Sequence, residues 1–230
     1  MITVTATVPM TTAQTPKLYG LVAAILVLLI AAALHIFVLA LLVEAGKSAD
    51  VNGGGNFWLD AAEKISWNNP AVYEAQANYY RGQGLLKQQS LDGKTFKIVI
   101  SKDSPQLKSL NISLHYWNAA IKSRPLWPYY QLGALDVEVL QASSASILQS
   151  RVGTIINLAP NERGLYRNML QLALIAWKKL NLSQQEFMLE RLALVSNKQL
   201  RLIFNKAKAA GNHKVICVRL PWKKVRQLCS

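Results

Sequence analysis

The run from Leu18 to Val43, LYGLVAAILVLLIAAALHIFVLALLV, holds 26 consecutive residues without one charged side chain. No other feature restricts this chain as strongly. At about 1.5 Å of rise per residue, such a helix outreaches the roughly 30 Å hydrocarbon layer of a bilayer and can tilt to fit. Its one strongly polar residue, His35, is read as hydrogen-bonded within the helix or turned toward another membrane helix, since ionisable groups in lipid tend to face protein. A cleaved signal peptide competes with this reading, because Val43 and Ala45 flank Glu44 near a cleavage position. The run exceeds the roughly 7–15 apolar residues of a signal peptide's core, which favours an uncleaved anchor. Lys17 and the terminal amine lie on one side, and Glu44, Lys47 and Asp50 on the other. That bias puts the N-terminus in the cytoplasm and the following 187 residues outside it.

Charge is concentrated at the other end. Residues 163–230 carry 14 Lys/Arg against Glu186 and Glu190, a net +12, whereas 44–162 balance 11 against 10. With Lys17 this gives the chain's +14. Clustered Lys/Arg sets up a long-range field that attracts nucleic acid, anionic lipid or an acidic polymer or protein, so the alternative to a scaffold is an anionic-lipid or nucleic-acid binder acting through this basic third. In PWKKVRQLC, Trp222 stands beside Lys223, Lys224 and Arg226, a combination suited to a lipid headgroup layer as well as to a solvated surface. Nucleic acid fits less well if this part lies outside the cytoplasm. The two cysteines, Cys217 and Cys229, are able to pair and close the tail in an oxidising compartment, and stay thiols in a reducing one.

Between the two ends the spacing is helical. Residues 1–17 form a Thr-containing leader, 18–43 the membrane helix, and 44–56, with KSADVNGGGN, a flexible linker. Gly46-Lys47-Ser48 resembles the end of a phosphate-binding loop, but Leu41 replaces its first glycine. Trp58, Ala61, Ala62 and Ile65 share one helical face, Asn69-Pro70 breaks the chain, and a second helix with Tyr73, Ala77 and Tyr80 is expected to stop at Gly82 and Gly84. IKSRPLWPYYQLGAL and INLAPNERGLYRNMLQLALIAW repeat the scheme: a proline-marked turn, an aromatic, then apolar or small residues on successive turns. Ser183 with Glu186, and Ser196 with Gln199, read as capping boxes that start two more helices. HKVICVRL reads as a short strand or extended segment.

These units resemble tetratricopeptide repeats, whose 34-residue period carries an aromatic followed by Leu-Gly in the first helix, as in Tyr129, Leu132 and Gly133. Tyr129 and Tyr166 are 37 residues apart, and Tyr73 and Tyr129 are 56 apart. The excess falls in an insertion at about 87–109, where Asp92-Gly93 and TFKIVIS suggest a loop or small β-hairpin. The expected fold is mainly α: a transmembrane helix, then a tetratricopeptide-like helical-hairpin domain over 57–211 and a basic tail over 212–230.

Chemistry is sparse. His35, His115 and His213 are scattered without metal-ligand spacing, and Asp136 and Glu138, two apart on a helix, point away from each other. No catalytic residue, metal or cofactor site is expected. Trp117, Trp127, Tyr129 and Tyr130 suit stacking on sugar rings, but core packing accounts better for Tyr73, Tyr129 and Tyr166. Trp127 and Tyr130, off the inward position, are the expected exposed contacts.

Together, the single anchor, the spacer and the segments NNPAVYEAQANYYRGQG and IKSRPLWPYYQLGAL resemble the VpsP-like proteins of bacterial exopolysaccharide operons, over about residues 18–220. The resemblance implies a bacterial inner-membrane protein, single-pass, with a periplasmic domain that binds a protein partner during polysaccharide synthesis or export and is not itself an enzyme.

Overall fold

A computed structural model describes residues 15–48, 55–89 and 104–229, with side chains over 19–48, 57–85 and 104–229. Among these residues every regular element is helical: α1 (Thr15–Ser48), α2 (Gly55–Ile65), α3 (Pro70–Gln89), α4 (Pro105–Ser123), α5 (Pro128–Leu140) and α6 (Ala145–Leu158). They continue as α7 (Arg163–Ile175), a 3-10 turn at Trp177–Lys179, α8 (Leu182–Leu194), α9 (Asn197–Ala209), α10 (His213–Arg219) and α11 (Trp222–Cys229).

Short polar side chains and prolines set the helix starts. Ser104 Oγ accepts from the Leu107 amide (3.2 Å) just ahead of Pro105, and Asn69 Oδ1 accepts from the Ala71 amide (3.0 Å) beside Pro70. Each satisfies an amide that the first helical turn leaves without a partner. Ser196 Oγ caps α9 through the Gln199 amide (3.3 Å), as its sequence pattern predicts. The other predicted cap moves by two residues: Asn181 and Gln184 form the box that starts α8, and Ser183 donates to Asn181 Oδ1 (2.9 Å). Asn and Ser cap about equally well, so the first competent residue wins.

The domain is a two-layer stack of antiparallel helices. α5 packs on α7 and α7 on α9 in one layer, while α6 packs on α8 in the other. α5, α7 and α9 begin at 128, 163 and 197, intervals of 35 and 34 residues. That regularity is closer to the tetratricopeptide period than the aromatic spacing suggested. The core behind it includes Leu148, Leu165, Leu170, Leu174, Leu192 and Ile203, each at most 1% exposed. Burying a leucine contributes about 1.5–3 kcal/mol. A second cluster, with Leu110, Trp117, Ala120 and Tyr130, joins α3, α4 and α5. Gly133 belongs to it for a steric reason: a Cβ there would lie 2.5 Å from the Trp117 indole.

Four expectations change. Gly82 and Gly84 do not end α3, which runs on to Gln89; a Cβ at Gly84 would meet Leu110 at 2.9 Å, so this glycine lets α3 and α4 approach closely. The linker narrows, because α1 extends to Ser48 and α2 starts at Gly55. Leu39 and Val43 on α1 pack with Leu59, Ala62, Val72 and Ala75 of α2 and α3. HKVICVRL is helical despite its β-branched residues, since Ile216 and Leu220, four apart, both reach the main core; packing outweighs propensity here. With Val225 also buried, 212–229 complete the domain instead of trailing from it. The expected insertion, including Asp92-Gly93 and TFKIVIS, lies mostly outside the described residues.

Candidate functional site

Interior polar groups come first, because a reaction centre would have to be built from them. Glu138, 2% exposed, receives Arg151 through Nη2 (2.7 Å) and Nε (3.2 Å), and Arg151 Nη1 also donates to Gln131 Oε1 (2.6 Å). Arg81 pairs with Asp136 across α3 and α5. Gln76, fully buried, donates to Asp60 Oδ1 (3.2 Å) and Glu63 Oε2 (3.3 Å), and the Tyr116 hydroxyl donates to the same Glu63 oxygen (2.8 Å). Burial pushes the Tyr116 hydroxyl well above its usual value, and Glu63 adds to the effect. The two arginine–carboxylate pairs and the hydrogen bonds of Gln76 and Tyr116 to Glu63 each join different helices, the arrangement of braces. Asp136 and Glu138 do point apart, each to its own arginine.

The aromatic residues change places relative to expectation. Tyr130 is 4% exposed and packs with Trp117 (ring centroids 6.1 Å apart), so it is no surface contact. Tyr129 is 39% exposed and donates to Glu162 Oε1 (3.2 Å). α5 begins at Pro128, which makes Tyr130 its third residue, as Leu165 is the third of α7; both point into the stack. A phase error of one residue is a rotation of about 100°. Trp127 is 46% exposed, as expected of a contact residue.

At the C-terminal end, Trp222 is 61% exposed, and Lys223 and Arg226 are exposed beside it. Lys224 differs from its neighbours: its Nζ donates to the Ala193 carbonyl and to Val195 O (2.9 Å), capping the end of α8. Lys179 holds the turn that follows α5, donating to Ala142 O (2.7 Å) and Ser143 O (2.6 Å), and Arg191 lies over the rings of Tyr166 and Phe187. Cations near a helix C-terminus match its dipole. Among the described residues, none of the 14 basic side chains after 162 pairs with a carboxylate. Arg201, Lys223, Lys224 and Arg226 line a pocket of about 130 Å³ between α9 and α11. Cys217 and Cys229 are joined in a disulfide that ties α10 to the end of α11 behind this pocket. Sequence reasoning missed Arg201, which lies in the second turn of α9 and carries no local signal of its own.

Comparison with family models, with curated proteins and with solved structures gave no match.

Proposed function

We propose that this protein is a membrane-anchored, non-enzymatic adaptor that holds a protein partner against its helix stack, acting in bacterial exopolysaccharide synthesis or export. The observation that carries the adaptor reading is the use made of the interior polar groups. Arg81, Asp136, Glu138 and Arg151 are committed to bracing helices, which leaves the helix surfaces as the working part. α1 is long and apolar enough to cross a membrane. An anchor of this kind confines the search for a partner to the membrane plane and raises effective concentration. The polysaccharide assignment, the inner-membrane address and the N-in orientation rest on the sequence resemblance and the flanking charges. The Cys217–Cys229 disulfide supports the periplasmic placement, since such bonds persist in oxidising compartments.

The test is affinity purification from gently solubilised membranes. The expected result is reproducible recovery of one polysaccharide-synthesis or export component, lost when exposed stack residues are changed. Recovery of the chain alone would sink the adaptor reading. A reporter fused after Ser230 that is active only in the cytoplasm would sink the orientation.

The basic end favours a second reading, in which the cations around the α9–α11 pocket, above all Arg201, Lys223 and Arg226, bind anionic lipid or an acidic polymer. Affinity for anionic vesicles that falls steeply with salt is the expected signature.

A further inference from the structure

α1 divides into two lengths. From Tyr19 to Val38, twenty consecutive residues are exposed; burial begins at Leu39, where α2 and α3 cover the helix. Twenty residues rise about 30 Å, the thickness of a hydrocarbon layer. The domain therefore starts where the lipid would end. His35, near that boundary, meets the Trp67 ring in the α2–α3 turn, with centroids 5.8 Å apart. Trp67 is 89% exposed and, like Asn68, has a left-handed backbone (φ 42° and 63°). Such a conformation is costly for a bulky residue, by about 1 kcal/mol or more. Asn68 accepts a hydrogen bond from the Tyr73 hydroxyl (2.7 Å), which holds the turn so that the indole projects outward.

Alternation of antiparallel helices brings other turns to the same edge. Ser123 Oγ at the end of α4 reaches Asn68 O (3.5 Å), Tyr129 at the start of α5 reaches Glu162 in the α6–α7 turn, and Lys224 reaches Val195 in the α8–α9 turn. The opposite edge is tied separately, through Lys179 to Ala142 and Asn212 to Leu174. Of the four exposed tryptophans, three (Trp67, Trp127 and Trp222) stand on the first edge, with Leu126 (77% exposed) and Leu194 (75%). Exposed Lys64, Lys122, Arg124, Arg163, Lys198 and Lys223 lie among them. Indole rings between amines and guanidinium groups suit the headgroup layer, and each Lys/Arg near an anionic surface contributes about 1 kcal/mol.

We infer that this edge of the stack rests on the headgroup layer of the bilayer crossed by α1, with Trp67 seated at the interface and the Trp127 and Trp222 turns laid on anionic phospholipid. The inference rests on the reading of α1 as a membrane span. It fixes the orientation of the domain: the free surfaces are the opposite edge and the sides of the stack.

The full chain is reconstituted in vesicles of zwitterionic lipid with and without phosphatidylglycerol. Single variants Trp67→Cys, Trp127→Cys, Trp222→Cys and Leu182→Cys, the last on the opposite edge, are labelled with an environment-sensitive fluorophore; the native cysteines are consumed in their disulfide. All four positions are exposed, so folding is preserved, and circular dichroism verifies it. Alkaline extraction reports separately on α1. The expected result is a carbonate-resistant chain whose label at 67 is blue-shifted and quenched by shallow spin-labelled lipid. Labels at 127 and 222 follow when phosphatidylglycerol is present, and the label at 182 stays aqueous. A resistant chain with a label at 67 as aqueous as that at 182 overturns the seating and leaves the anchor standing. A chain released by alkali overturns both.

Discussion

The two halves of the stack handle charge in opposite ways. In α2–α6 two arginines turn inward, Arg81 to Asp136 and Arg151 to Glu138, while Arg124 between α4 and α5 is exposed, and the interior carries glutamines and tyrosine hydroxyls. From α7 onward the core is almost wholly apolar, and the basic residues tie helix ends and turns, lie over aromatic rings as Arg191 does, or face water without a carboxylate partner. The same helical hairpins therefore serve two purposes. Inward pairs lock helices in register; outward cations leave charge available to something outside the chain. A buried pair adds little net stability against a well-packed apolar alternative, whereas losing one member is severe. The first half should thus be sensitive to single changes, and the second tolerant in its fold and sensitive in its binding.

The strongest way to break this contrast is Arg151→Met. It leaves Glu138 buried without a counter-ion and Gln131 without its donor. The expected loss is about 3–5 kcal/mol, read by denaturant unfolding of the detergent-solubilised chain. Adding Glu138→Met should restore most of it. If Arg151→Met alone is neutral, the first half is not braced by this pair. The same measurement on Arg226→Met, an exposed and unpaired cation in the second half, should show almost no change.

Next in size is the disulfide. Cys217 and Cys229 are 12 residues apart, and closing a loop of that length stabilises by about 2–4 kcal/mol. Reduction, or Cys217→Ser with Cys229→Ser, should raise hydrogen exchange across α10 and α11 and leave α2–α4 as they were. Exchange that rises equally in both halves would mean that they unfold as one unit.

The contrast between halves was only partly visible in the sequence. The charge-free run through Val43 announced α1, and the proline-marked turns at Pro70, Pro125 and Pro160 announced the hairpins, because both are local signals. Ser196 was legible as a cap for the same reason. The braces were not: Arg81 and Asp136 are 55 residues apart, and Arg151 and Glu138 stand on different helices. The phase of α5 depends on whether Pro125 or Pro128 starts the helix, and that choice decides whether Tyr129 or Tyr130 points inward. The tryptophan-bearing edge arises only when alternate turns are brought together, so nothing local to Trp67 in the sequence points to it.

The smallest expected effect probes a brace that titrates. Tyr116 bridges α4 to Glu63 of α2, and its hydroxyl holds its proton above the ordinary value of 10.0, first through burial and then through Glu63. In the unfolded chain the proton leaves near 10.0; in the folded chain it stays on to higher pH. Within that window the folded state binds more protons, so stability falls as pH rises. The contribution is complete below 10.0 and is lost as pH climbs through the folded value. Tyr116→Phe should cost about 1 kcal/mol at neutral pH and make the alkaline decline shallower. Tyr130, also raised by burial, keeps some of the slope in the variant. A variant with an unchanged alkaline slope would show that the Tyr116–Glu63 contact does not hold α4 to α2, and the first half would then owe its register to the arginine pairs alone.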